Sequence, residues 1–219
     1  MGTGYNPRIA TDGLVFALDA ANPRCYAGTG LTAFDLKGSI VSALVNGTGF
    51  SSVNNGTFTF DGSDDYVTSS SDSGIAGANA RTLCAWAKFN NISSSVVCGI
   101  GNANVDFNLF EIQAFQSRLI GHRFGNIING TTILSTGIWY FTAYTYDGTT
   151  SKLYLNASLE GSINETLTTV NTPFTIGKKG FASNSNMSGS VPQALLYNRA
   201  LTAAEIRQNY NATKGRYGL

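Results

Sequence analysis

Glycosidic hydrolysis requires two carboxylates placed on either side of the scissile bond, so the four glutamates are weighed first: Glu111, Glu160, Glu165 and Glu205. Glu205 follows Thr202 by three residues in ALTAAEIRQNY and is taken by a helix capping box. Glu160 and Glu165 flank a turn. Glu111, in FNLFEIQAF, is the one strand carboxylate, and no second acid stands where it would oppose it. The single histidine, His122 in IGHRFG, has no accompanying Ser or Cys motif. G-x-S-x-G is absent, so His122 reads as an ordinary strand residue. No Cys/His set has zinc spacing, and no phosphate loop occurs.

Two constellations remain. Asp61, Asp64 and Asp65 in FDGSDDYV form the one acidic cluster. Calcium takes several oxygen ligands, commonly two or three carboxylates with carbonyls. The competing reading, a turn whose aspartates accept local backbone N–H groups, is the favoured one. Tyr140, Tyr144 and Tyr146 share one face of a long hairpin strand and offer rings on which a pyranose could stack. Alternating aromatics also fill sandwich cores. The expectation is no catalytic residue, no cofactor and no metal ligand.

These residues must be positioned by strands, because the dominant hydrophobic period is two. GLVFALDA places Leu14, Phe16 and Leu18 on one face. GTFTFDGSDDYVT places Phe58 and Phe60 together and turns at Asp61-Gly62. RTLCAWAKF alternates Leu83, Ala85, Ala87 and Phe89 against Cys84, Trp86 and Lys88. FNLFEIQAF and RLIGHRF surround a Gln116-Ser117 turn. In the hairpin IWYFTAYTY–DGTTS–KLYLN, Asp147-Gly148 supplies positive-φ turn residues. Trp139, Phe141 and Ala143 are expected to face the core there, opposite Leu153 and Leu155. About a dozen short strands without long helical patterns favour antiparallel sheets. One helix, about 203–211, follows them, capped at Thr202, stapled by Leu201 and Ile206, and stopped near Gly215. Residues 1–12 read as an arm, 13–211 as one domain and 212–219 as a tail.

Composition narrows the classes further. The 219 residues carry 14 Lys+Arg and 13 Asp+Glu, with charged residues at 12%, about half the usual quarter. Gly, Ser, Thr and Asn, numbering 25, 21, 23 and 21, supply the polarity instead. A formal charge of +1 lacks the concentrated basic footprint of a nucleic-acid binder. No apolar run approaches the roughly 18 residues of a membrane span, and MGTGYNPRIATDG lacks a secretory n- and h-region. Cys25, Cys84 and Cys98 are an odd set, read as reduced thiols from cytosolic assembly. The NGT triplets at Asn46, Asn55 and Asn129 read as turns rather than glycosylation sites.

LVFALDA, FDGSDDYV, TLCAWAKF, WYFTAYTYDGTTSKLYLN and SGSVPQALLYNRALTAAEIRQNY, in this order over residues 13–211, carry a family resemblance. The chain resembles the laminin-G-like branch of the concanavalin A-like lectin/glucanase superfamily. That resemblance implies an all-β jelly-roll sandwich of two antiparallel sheets with one short C-terminal helix. Laminin-G-like relatives often bind calcium at a sheet rim, which keeps the Asp61/Asp64/Asp65 alternative open. Glucanases of the superfamily carry an E-x-D-x-x-E-like run, which is absent here, so no enzyme is expected. Asn156-Ala157 departs from the family's usual Asn-Gly and leaves the turn after KLYLN open. The terminal segments, YNPRIATDGLVFALDAANPRCY and LTAAEIRQNYNATKGRYGL, are similar to laminin-G-like virion proteins of tailed bacteriophages, cyanophages especially. The resemblance implies a non-enzymatic virion part, in capsid decoration or the tail, assembled in the bacterial host cytoplasm. Its expected partners are other virion proteins, further copies of itself in a symmetric homo-oligomer, and host-surface glycans. No nucleic acid and no membrane is expected. The alternative is a secreted carbohydrate-binding lectin module.

Overall fold

The computed structural model describes residues 8–38, 40–102, 106–123, 125–178 and 185–219. Most of the arm predicted at 1–12 therefore lies outside the described residues. Among the described residues sixteen strands and one α-helix follow in order: β1 (Leu14–Asp19), β2 (Thr32–Phe34), β3 (Val41–Val45), β4 (Gly49–Ser51), β5 (Thr57–Asp61), β6 (Tyr66–Asp72), β7 (Arg81–Phe89) and β8 (Ser94–Gly101). Then come β9 (Leu109–Phe115), β10 (Arg118–Arg123), β11 (Asn126–Ile133), β12 (Trp139–Tyr146), β13 (Thr150–Leu155), β14 (Ser158–Asn164), β15 (Pro173–Ile176), β16 (Ser188–Tyr197) and α1 (Ala203–Thr213). They form two antiparallel sheets. The first runs β14-β13-β12-β7-β16-β5-β4, with β1 also paired to β16; the second runs β11-β10-β9-β8-β15-β6-β3-β2. Strands distant in sequence are neighbours in both sheets, as a jelly roll requires.

Two apolar layers result, one between the sheets and one outside the first sheet. Leu83, Ala85, Ala87 and Phe89 of β7 enter the inter-sheet core with Phe58, Phe60, Phe110, Ile112 and Tyr144. Cys84 and Trp86, on the other face of β7, pack with Phe141, Leu195, Tyr197, Leu201 and Ile206. α1 closes this second layer, which explains why β7 is buried along almost its whole length.

The second layer corrects two expectations. Tyr140, Tyr144 and Tyr146 are not a surface platform: they belong to the inter-sheet core at 8%, 0% and 0% exposure. Trp139, Phe141 and Ala143 point the other way, beneath α1. Tyr144 pairs with Leu153, and Leu153 and Leu155 follow the tyrosines into the core. In β1, a register shift between Leu14 and Phe16 separates them. Phe16 and Leu18 enter the core while Leu14 and Ala17 face α1.

Turns carry the chain as their residues dictate, with two adjustments. Gln116 and Ser117 take positive φ (48° and 63°) between β9 and β10. In the β12–β13 turn only Gly148 does so (φ 105°). Asp147 instead accepts from the Thr149 and Thr150 amides at 2.9 and 2.7 Å. Asn156 and Ala157 both adopt left-handed backbone, φ 50° and 66°, so alanine stands where the family's glycine would relieve Cβ strain. Ala157→Gly is expected to stabilise the chain by about 1 kcal/mol, read as a raised urea midpoint at unchanged m-value.

The helix signals hold at its start. The Thr202 hydroxyl accepts from the Glu205 amide and the Glu205 carboxylate accepts from Thr202 N–H, completing the capping box. Leu201 and Ile206 are buried at 4% and 0%. At the other end the chain continues through a 3-10 turn, Lys214–Tyr217, and turns left-handed at Gly218 (φ 74°), so Gly218 and not Gly215 ends it. The predicted tail is consequently docked: Tyr217 is buried against Trp86, ring centroids 4.2 Å apart.

Arg199 also grips Glu205 through both carboxylate oxygens, at 3.0 and 2.6 Å. The Arg199 hydrogen bonds, then the Thr202 amide, pull the Glu205 carboxyl down to about 2 from 4.5. A depressed folded value means stabilisation that is complete above the unfolded value and lost as pH falls toward the folded one. Glu205→Gln is expected to cost about 1 kcal/mol at pH 7. The gap should close between roughly pH 5 and pH 2 in urea midpoints.

Candidate functional site: the polar cleft on the second sheet

With the outer face of the first sheet largely taken by α1, the outer face of the second sheet is where polar side chains gather. On β9, Phe110, Ile112 and Ala114 point into the core, so Glu111, Gln113 and Phe115 point outward by the period of two. Register sets His122 of β10 beside Glu111 and Ile120 beside Gln113. Ser94, Gln113, Phe115, Ile120, His122, Ile127 and Ser185 line a cleft of about 160 Å³. That is smaller than the roughly 300–1,000 Å³ of a drug-sized site, and suits a single ring.

The cleft is built around a hydrogen-bonded chain. Gln113 Nε2 donates to Ser94 Oγ at 2.9 Å, and Ser94 Oγ donates to Ser185 Oγ at 3.1 Å. His122 Nδ1 lies 3.3 Å from Glu111 Oε1, the carboxylate being fully buried. Sequence reading named Glu111 and His122 separately; their pairing depends on the β9–β10 register. Gln113 and Ser94 were missed, because amide and hydroxyl residues on a polar strand face carry no signal of their own.

The remaining carboxylates are occupied by structure. Glu160 was read as flanking a turn; it sits at the edge of the first sheet and crosses to the second. Its Oε2 accepts from the Thr131 and Thr132 amides at 2.6 and 2.8 Å, and Oε1 from Thr132 Oγ1 at 2.7 Å. Burial raises this carboxyl's pKa, but the bonds from Thr132 and Thr131 outweigh it and hold the value below the usual range. The register shift in β11 between its pairs to Arg118 and Ile120 frees those amides, and Glu160 joins the two sheet edges by filling them. Glu165, read likewise, is buried in an ion pair with Arg123. Glu205 caps α1. Among the described residues, no two of the four glutamates face one another across a cleft.

Asp61, Asp64 and Asp65 do come together, with ligand oxygens within 4.8 Å of one another. Each feature of the turn reading is present too. Asp61 N–H donates to Asp65 Oδ2 at 3.0 Å and Ser63 N–H to Asp61 Oδ1 at 2.7 Å. Burial first, then the charges of Asp61 and Asp64, raise the Asp65 carboxyl. The geometry admits a cation and is satisfied as a turn without one. Cys25, Cys84 and Cys98 are all buried, free thiols. Burial pushes Cys25 up to about 11 and Cys84 to about 12, which makes both poor nucleophiles. No helix among the described residues is long and apolar enough to cross a membrane.

The two-sheet antiparallel sandwich with its polar outer cleft defines a lectin-like class of domain. Residues 61–207 match the laminin-G-type family described as the Concanavalin A-like lectin/glucanases superfamily, and the chain belongs to it. No curated protein sequence matches the chain. Among solved structures it is similar to the binding domain of Paraclostridial Mosquitocidal Protein 1, with TM-score 0.67 and 18% identity over 92% of this chain and 52% of that one. The chain thus spans about half the length of that relative. Domain 4 of AbnA, a GH43 extracellular arabinanase from Geobacillus stearothermophilus solved with arabinotriose, gives TM-score 0.67 and 14% identity over 90% of this chain and 98% of that one. A Trypanosoma rangeli sialidase gives TM-score 0.71 and 16% identity over 99% of this chain and 36% of that one. At such identities the likeness is one of fold.

Proposed function

We propose that this chain is a non-enzymatic binding and building part of a bacteriophage virion, in the capsid decoration or the tail, that touches host-surface glycans through the second sheet. The observation that carries the binding half is the Gln113–Ser94–Ser185 hydrogen-bonded cleft, walled by Phe115 and Ile120. Hydroxyl and amide groups exchange hydrogen bonds with a sugar ring in both directions, and an aromatic wall adds contact with its C–H face. The non-enzymatic half is supported by the glutamates, whose structural partners leave no opposed pair among the described residues. The virion placement rests on the resemblance of the terminal segments to phage virion proteins. A symmetric homo-oligomer, contacting other virion proteins, is the form proposed.

A secreted carbohydrate-binding module is the second reading, favoured by the match in extent to domain 4 of the arabinanase. Mass spectrometry of purified virions separates the two: the chain is expected in intact particles, and its absence overturns the virion role. Titration of host-surface polysaccharide by calorimetry tests the cleft. Gln113→Ala with Phe115→Ala should weaken binding at least tenfold while the far-UV circular dichroism of the folded chain is retained; equal binding overturns this site.

A further inference from the structure

Three Asn-Gly-Thr triplets, at Asn46, Asn55 and Asn129, have no part in the binding proposed above. Asparagine is chemically labile where the next backbone nitrogen can reach its side-chain carbonyl carbon. Glycine, having no Cβ, hinders that approach least. Because the three triplets have the same residues, their surroundings in the fold decide between them.

Gly56 is buried, and its N–H donates to Val53 O at 3.1 Å. It is wedged against the chain leaving β1, where a Cβ on Gly56 would stand 2.5 Å from Ala20 O. Gly130 is buried within β11, where a Cβ would stand 2.8 Å from Leu119 O. Its carbonyl accepts from Arg118 Nη1 at 3.1 Å. In both triplets the backbone that would have to rotate is held by packing and hydrogen bonds. Asn46 and Gly47 are different. Both are exposed in the turn from β3 to β4 and take left-handed backbone, φ 55° and 102°. Thr48 N–H closes that turn on Val45 O at 3.2 Å, and Gly47 N–H donates to no protein group among the described residues.

We infer that Asn46 is a modification site, deamidated by attack of its own backbone, while Asn55 and Asn129 are protected by the fold. The Gly47 nitrogen attacks Asn46 Cγ and forms an N–Cγ bond. The Cγ–Nδ2 bond breaks, and ammonia leaves with the proton that Gly47 nitrogen carried. One water then opens the cyclic imide at either carbonyl, giving aspartate or isoaspartate with no oxidation or reduction. The product falls against the acidic turn. Asn46 Nδ2 donates to Asp64 O at 3.2 Å, and Asp65 Oδ1 lies 3.3 Å from where a Cβ on Gly47 would stand. Deamidation removes that donor and sets a fourth carboxylate beside Asp61, Asp64 and Asp65, so an attraction becomes a repulsion. The tie between the β3–β4 and β5–β6 turns is then lost.

The full chain is incubated at mildly alkaline pH, folded and in urea, and its peptides are followed by mass spectrometry. In the folded chain the Asn46 peptide is expected to gain about 1 Da, as amide NH2 becomes OH, with isoaspartate among the products. Its rate should exceed those of the Asn55 and Asn129 peptides by about tenfold, because these must first open locally. In urea the three rates should converge. Asn46→Gly, which keeps the left-handed turn, should remove the fast phase. Asn46→Asp, one of the two products, should lower the urea midpoint. Equal rates at the three asparagines of the folded chain, or faster reaction at Asn55 or Asn129, overturn the inference. So does an Asn46 peptide that stays unmodified while the urea-unfolded chain reacts. An unchanged midpoint for Asn46→Asp would overturn the loss of the tie between the turns.

Discussion

Glu165→Leu, made alone, is expected to lower the unfolding free energy by about 3–5 kcal/mol. Arg123 Nε and Glu165 Oε2 form an ion pair whose side chains are 2% and 3% exposed. It lies beside Tyr144, which is fully buried and stacked on Phe110 at 4.1 Å. Burial raises the Glu165 carboxyl, outweighing the charge of the Arg123 guanidinium that lowers it. Removing the acid strands a guanidinium between two sheets, and that uncompensated charge is the source of the loss. Replacing both partners, Arg123→Met with Glu165→Leu, should recover most of it, because desolvation of a buried pair roughly cancels its attraction. Urea unfolding of the four proteins gives the coupling energy directly. A single variant costing under about 1 kcal/mol, or a double as unstable as the sum of the singles, would sink this account.

The second large effect concerns the C-terminus. Tyr217→Ala is expected to cost about 3–5 kcal/mol, as for other large buried aromatics. The ring of Tyr217 lies 4.2 Å from that of Trp86 and 4.8 Å from that of Trp139. Trp86, fully buried, also donates from Nε1 to Thr213 Oγ1 at 2.7 Å. Truncating Tyr217 therefore opens a cavity over the outer layer and loosens the end of α1. Tyr217→Phe provides the control: its hydroxyl is buried without a hydrogen-bond partner, so losing it should be neutral or slightly stabilising. The two tryptophans of the chain both touch Tyr217, and their fluorescence reports both variants. Equal destabilisation by Ala and Phe would show that the ring is not what holds this end.

Much of the architecture was legible in the residues. Alternation in RTLCAWAKF separated Leu83, Ala85, Ala87 and Phe89 from Cys84 and Trp86, and both sets fall where that period puts them. Turn chemistry placed the Gln116-Ser117 hairpin, and Thr202 with Glu205 placed the start of α1. These are local properties, decided by backbone dihedrals and by bonds three or four residues apart. The chemical poverty of the chain was legible in the same way, since four glutamates and one histidine leave few acid–base arrangements.

What covers each face was not. A period of two divides β12 into Tyr140/Tyr144/Tyr146 and Trp139/Phe141/Ala143, both apolar, without saying which lies between the sheets. That choice belongs to α1, some 60 residues later, whose docking buries the second set. Arg123 with Glu165 and Glu160 with Thr131 and Thr132 also join residues far apart in the chain. By itself the sequence determined which residues form strands, turns and the capped helix, because those depend on neighbours along the chain. Only the tertiary structure decided which side chains meet, because strand order and helix docking bring together groups that local pattern leaves independent.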